Sequence, residues 1–107
     1  MNKPVEIDEA IFSEAVLKSE IPVFVDFWGS HCRPCLMIEP IIDELAEDFE
    51  GKVSFVRLNV SNNPQITSRY GVMGLPTLML FKEGQPVNNI IGFHPKAELK
   101  KSLETAL

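Results

Sequence analysis

A chain of 107 residues, 45% hydrophobic and 23% charged, carries enough apolar material for one core and reads as a single domain, 1–107, not as a disordered segment. Fifteen acidic against ten basic residues give a net charge of −5 with no dense Lys/Arg patch, which argues against nucleic acid as a partner. Asp26, Pro34, Arg57 and Lys82 break the apolar runs well short of the roughly 20 residues that cross a bilayer, so no membrane span is expected.

Residues 1–8 carry Glu6 and Asp8 where an export signal would have a basic region and an apolar stretch; the expectation is a reducing, cytoplasmic location. The first predicted element is a helix over 8–18, with Ile11, Phe12, Ala15 and Val16 at helical spacing behind Asp8 as a cap. Residues 23–28, Val-Phe-Val-Asp-Phe-Trp, are β-branched or aromatic apart from Asp26 and read as a strand buried on both faces. Gly29 and Ser30 end it. A long helix follows over 32–49, with Cys35, Met37, Ile38, Ile41, Ile42, Leu45, Ala46 and Phe49 on one broad apolar face; Pro40 should bend it without ending it.

Residues 53–59 alternate, with Phe55, Arg57 and Asn59 on one side and Ser54, Val56 and Leu58 on the other, as a strand does. Asn62, Asn63 and Pro64 open a short helix through Tyr70, and Gly71 and Gly74 permit sharp backbone changes after it. A strand over 77–81, a turn over 83–86 and a returning strand over 87–91 form a hairpin. Ala97, Leu99, Leu103 and Leu107 then bury one face of a terminal helix. Strands separated by helices imply parallel pairing through right-handed crossovers, and the hairpin an antiparallel edge. The expected class is α/β, a small mixed sheet with helices on both faces.

In that fold Cys32 follows a central strand and opens a helix, at the end of an open α/β sheet where sites form. Residues three apart in a first helical turn have Cα atoms about 5 to 6 Å apart, within disulfide range, so Cys32-Arg33-Pro34-Cys35 can close and open a bridge. Free N–H groups and the positive dipole end stabilise a Cys32 thiolate, the attacking form, while Cys35 lies one turn inward and should resolve the mixed disulfide. Pro34 stiffens the bridge. Arg33 places a permanent positive charge beside the sulfurs, which should lower the nucleophile's pKa and make the couple more oxidising than one with Gly at position 33. His31 is either a solvent-exposed spacer or a second source of charge on the thiolate.

Asp26, a carboxylate inside an apolar strand, should have a raised pKa and can then accept the Cys35 proton during resolution; the competing reading is a solvated carboxylate at the strand end. Half of a zinc or iron–sulfur site has the same Cys-x-x-Cys spacing, but two cysteines with His31 and His94 would need distant segments to converge, and no metal is expected. A permanent structural disulfide is the remaining bland alternative.

The run Phe27-Trp28-Gly29-Ser30-His31-Cys32-Arg33-Pro34-Cys35, with Gly74-Leu75-Pro76-Thr77, Gly84 and Gly92 beyond it, strongly resembles the thioredoxin family along essentially the whole chain. Thioredoxin is itself the standard example of a reactive Cys-x-x-Cys pair. The resemblance implies a thioredoxin-like three-layer sandwich, with Asp26 as the buried acid, Cys32 as nucleophile, Cys35 as resolving thiol and Pro76 as a cis-proline opposite the pair. It also implies that Leu75 backbone groups pair with an extended substrate, while Trp28, Leu75, Ile91, Gly92 and Phe93 surround the sulfurs with apolar surface. For Trp28 the alternative is support of the site's packing, and for Phe93 a place in the core. Family members commonly carry Trp where this chain has His31, Gly at Arg33 and Lys at Leu36, so the rim is altered. Arg57 resembles the family's Lys near the buried acid; it either modulates Asp26 or ends a solvated strand face.

The leading expectation is a thiol-disulfide oxidoreductase that reduces protein disulfides, without a bound cofactor, taking electrons from a thioredoxin reductase-like flavoprotein that uses NADPH, and acting as a monomer. The alternatives are a protein disulfide oxidase or isomerase, and a non-enzymatic subunit that binds proteins through the rim.

Overall fold

Five strands among the described residues, 3–107, build one sheet: β1 (Val5–Ile7), β2 (Val23–Trp28), β3 (Ser54–Asn59), β4 (Thr77–Lys82) and β5 (Gln85–Ile91), in the order β1-β3-β2-β4-β5. This is a computed structural model; Met1 and Asn2, where the segment read as lacking an export signal begins and the expected domain starts, lie outside the described residues. Strands β1, β3 and β2 run parallel, while β4 is antiparallel to both β2 and β5. The helices are α1 (Arg33–Asp48), α2 (Pro64–Arg69) and α3 (Lys96–Ala106). None is long and apolar enough to cross a membrane.

Strand β2 is central because both of its faces are apolar, and each face has its own core. On one, Phe24, Phe55, Leu78 and Leu80 meet Ile38, Ile42 and Leu45 of α1 and Leu99 and Leu103 of α3. On the other, Val23, Val25, Phe27, Val56, Leu58, Met79 and Phe81 meet Phe12, Val16 and Ile66. Burying one such Leu, Ile or Phe side chain is worth about 1.5–3 kcal/mol, so the two layers of helices clamp β2 and α1 relative to each other.

Several expected details differ. Strand β1 was not foreseen, because it has three residues and only Ile7 is buried, too little for a period to show. The expected helix over 8–18 is shorter: Asp8 caps the turn, accepting from Ala10 N and Ile11 N at 3.0 and 3.2 Å, and Ser13–Leu17 is a π-helical turn with Lys18 N donating to Ser13 O. Helix α1 runs through Pro40. The hairpin turn is the two residues Glu83 and Gly84, both at positive φ, so β5 already pairs at Gln85; Pro86 is accommodated because β5 is an edge strand. In α3 Leu99 and Leu103 are buried, while Ala97 and, just past the helix end, Leu107 are exposed.

The direction of β4 is the difference that matters for the site. The expected parallel pairing of this strand is not what forms: between β3 and β4 the chain makes the short turn Val60–Asn62, α2 and a loop over 70–76, and β4 then runs antiparallel to β2. The chain enters β4 at the end where β2 and β3 leave, and Thr77 pairs with Phe27. That brings the residues just before Thr77 to the cysteine end of the sheet.

Candidate functional site

After β2 the chain passes Gly29, Ser30 and His31, the last in the left-handed region at φ 59°, and Cys32 becomes the N-cap of α1. Arg33 and Pro34 occupy the first two helical positions, where proline's missing donor costs nothing. The Cys32 and Cys35 sulfurs are joined as a disulfide, with Cα atoms 5.3 Å apart. Cys35 N, one of the four N–H groups a helix start leaves without a helical partner, donates to Cys32 Sγ at 3.2 Å. Cys35 is 2% exposed and Cys32 half-buried, so only the first sulfur faces outward.

Three contacts assemble the opposite wall. The Leu75–Pro76 bond is cis, and Pro76 O accepts from Gly92 N at 2.8 Å. Gly29 lies against Leu75: a Cβ built there would stand 2.7 Å from Leu75 Cδ1. Gly74 lies against Ile91 in the same way, at 2.9 Å from Ile91 Cγ2. Gly74 is not at positive φ, so its requirement is close approach and not the backbone freedom the sequence pointed to. Ile91 and Phe93 are exposed, and Trp28 is half-buried. On the α1 side His31, Arg33, Leu36 and Met37 line a shallow groove, all four exposed. Among the described residues no three His, Cys, Asp or Glu side chains gather as metal ligands; His94 is engaged by Glu98 Oε2 at 3.0 Å and Ile91 O at 3.2 Å.

Beneath this rim Asp26 is 1% exposed, which removes the reading as a solvated strand-end carboxylate. Burial drives its pKa from 3.8 to about 6, against the pull of the Arg57 guanidinium and with the help of Glu39 and Glu6. Arg57 Nε stands 3.6 Å from Asp26 Oδ2, an ion-pair distance beyond hydrogen-bond reach, and neither Asp26 oxygen accepts a hydrogen bond from the described residues. Arg57 is one-fifth exposed, at 19%, and points at the acid; it does not end a solvated face. It also approaches Glu39 at 3.4 Å and Glu6 at 3.8 Å, and its guanidinium carbon lies 4.7 Å from the centre of the Trp28 ring.

A bridge closed at a helix start, with one cysteine partly exposed and the other buried over a core, is an arrangement suited to two-electron thiol exchange. Comparison with known proteins agrees with that chemistry. The thioredoxin family model matches residues 3–105. The chain belongs to the thioredoxin family. It is 43% identical to thioredoxin 1 of Nostoc sp. and 46% identical to thioredoxin of Synechocystis sp., in both cases over 100% of each chain. Thioredoxin of Alicyclobacillus acidocaldarius is 44% identical over 94% of this chain and 95% of its own. Like thioredoxins, this chain is a thiol-disulfide oxidoreductase whose cysteine pair reduces disulfides, and thioredoxins need no bound cofactor.

Sequence reasoning missed part of this thioredoxin site. Glu6 accepts the Trp28 indole N–H at 3.1 Å on both oxygens, across 22 residues of sequence, and Glu39 reaches Arg57 from α1. No local pattern marks either one.

Proposed function

We propose that Cys32 is the nucleophile and Cys35 the resolving thiol of a protein-disulfide reductase, with Asp26 taking the Cys35 proton. The observation that supports this most directly is the asymmetry of the pair, Cys32 outward at the N-cap of α1 and Cys35 2% exposed one turn inward. In the reduced protein the Cys32 thiolate attacks a substrate disulfide; a Cys32–substrate bond forms, and the first substrate sulfur leaves and is protonated. Asp26 then accepts the proton of Cys35, whose sulfur attacks Cys32 Sγ. The Cys32–Cys35 bond forms, the second substrate thiol leaves, and two electrons have passed to the substrate. With a pKa of about 6 Asp26 is ionised roughly tenfold over protonated at pH 7, the state that can accept that proton.

The remaining residues support this cycle around the two sulfurs. Arg33, His31 and Arg57 tune it by charge, and Pro34 keeps the bridge short. Trp28, Leu75, Pro76, Ile91, Gly92 and Phe93 contact the substrate, with Leu75 offering its backbone to an extended peptide. The protein works as a single-domain cytoplasmic monomer in electron transport, re-reduced by a flavoprotein reductase at the expense of NADPH.

The test is reduction of an insulin-like disulfide with reductase and NADPH, run beside Cys32→Ser and Cys35→Ser. Cys32→Ser should be inactive and Cys35→Ser should stall as a mixed disulfide. Activity that survives Cys32→Ser sinks the assignment. Turnover only with a chemical reductant sinks the NADPH route and points to a different electron partner, while a strongly oxidising potential would favour the oxidase or isomerase reading, which the exposed charge of Arg33 beside the pair would serve.

A further inference from the structure

Glu6, Arg57 and Asp26 are neighbours across three strands: Glu6 of β1 pairs in register with Arg57 of β3, and Arg57 with Asp26 of β2. Directly opposed residues of a sheet share a face, so the side chains form a row of acid, base, acid. Trp28, two positions beyond Asp26, stands on that face as well. Glu6 makes two contacts in the row, accepting the indole N–H on both oxygens at 3.1 Å and facing Arg57 Nη1 at 3.8 Å. The ring in turn lies under the guanidinium, 4.7 Å away. One half-exposed carboxylate on a three-residue edge strand thus holds a rim aromatic and the cation of the buried acid together.

We propose that Glu6 is a positioning residue of the redox site: it fixes the Trp28 ring and the Arg57 guanidinium in one arrangement, and through Arg57 it sets how readily Asp26 takes and gives a proton. Asp26 is faced by Arg57 from β3, by Glu39 from α1, where Cys35 is also titratable when reduced, by Glu6 from β1 and by apolar Leu78 from β4. Glu6 acts on Asp26 in two ways of one sign. Its charge repels the ionised acid, and its attraction for Arg57 competes with the hold of Arg57 on Asp26. Glu39 shares both effects but, among the described residues, takes no hydrogen bond from Trp28, which makes it the control.

The consequence for turnover rests on the reading of Asp26 as proton acceptor; the consequence for Asp26 itself does not. The full chain is compared with Glu6→Gln, Glu6→Ala and Glu39→Gln, following the Asp26 carboxyl carbon by NMR against pH, the emission of Trp28, the sole tryptophan, and the rate of resolution. Glu6→Gln should lower the Asp26 midpoint and leave the emission unchanged, because the amide oxygen still accepts the indole N–H. Glu6→Ala should lower the midpoint, alter the emission and raise KM about twofold or more for a protein disulfide but not for a small one. Glu39→Gln should move the midpoint alone. An Asp26 midpoint unmoved or raised in Glu6→Gln, or unchanged Trp28 emission in Glu6→Ala, overturns the proposal. A lowered midpoint with an unmoved pH limb of resolution upholds it, and instead removes Asp26 from proton transfer.

Discussion

Two clusters in this protein follow the same plan, one cation among two or three carboxylates, with opposite consequences. On the surface Lys96 of α3 meets Glu44 and Asp48 of α1 at 3.0 and 3.1 Å, and the pairing raises the lysine's pKa by hydrogen bonding to Glu44 first and Asp48 second. At the cysteine end Arg57 meets Asp26, Glu6 and Glu39 at 3.6, 3.8 and 3.4 Å. Water screens the first cluster, which ties two helices together and little more. In the second, one carboxylate is buried without a hydrogen bond from its neighbours, so desolvation outweighs a cation at contact distance and the acid's proton affinity rises into the range where it can act. Burial, more than the roster of charges, separates a surface brace from an acid whose pKa is pushed up to about 6.

The largest test of this contrast removes the buried acid. Asp26→Asn should slow resolution of the mixed disulfide by on the order of a hundredfold while leaving the first attack nearly unchanged, measured by acid-quench trapping; equal slowing of both steps would break the comparison. The same variant should be more stable at neutral pH. With a folded pKa of about 6 against 3.8, the folded protein binds more protons than the unfolded chain between those values, so stability falls as pH rises through that window, by up to about 3 kcal/mol in total. Asp26→Asn should lose this slope, its urea midpoint lying above wild type at pH 7 and converging with it below the unfolded pKa. Arg57→Met should raise the Asp26 midpoint and slow resolution about two- to tenfold at pH 7, read from the pH profile. Arg33→Gly, at an exposed position, should shift the glutathione equilibrium toward a more reducing couple by only about 10 mV, as expected for one charge in a first helical turn. Lys96→Met should leave the urea midpoint where it is, and a clear drop would show that exposed clusters matter here more than argued.

Much of the architecture was legible because the elements around the site carry strong local signals. The apolar run through Trp28 gave β2 its full extent, and the cysteine spacing with Pro34 marked the start of α1. Strand β1 carries almost no burial and left no period. The direction of β4 was not legible because the connection over 60–76 is long enough for either direction, and only its pairing with β2 in the packed sheet decides it. Arg57 was ambiguous because alternation assigns it a face without saying what else stands there.

What the chain's order of residues determined alone was the reactive unit: two thiols three apart at a helix start, a carboxylate within an apolar strand, and enough apolar surface to bury both ends of that arrangement. Those are local or additive properties. Tertiary structure alone decided which groups meet Asp26, that Pro76 and Gly92 come together at the cysteine end, and that Glu6 reaches Trp28 from an edge strand. Such pairings depend on strand order and register, which arise when the whole sheet packs at once and which no window of sequence encodes.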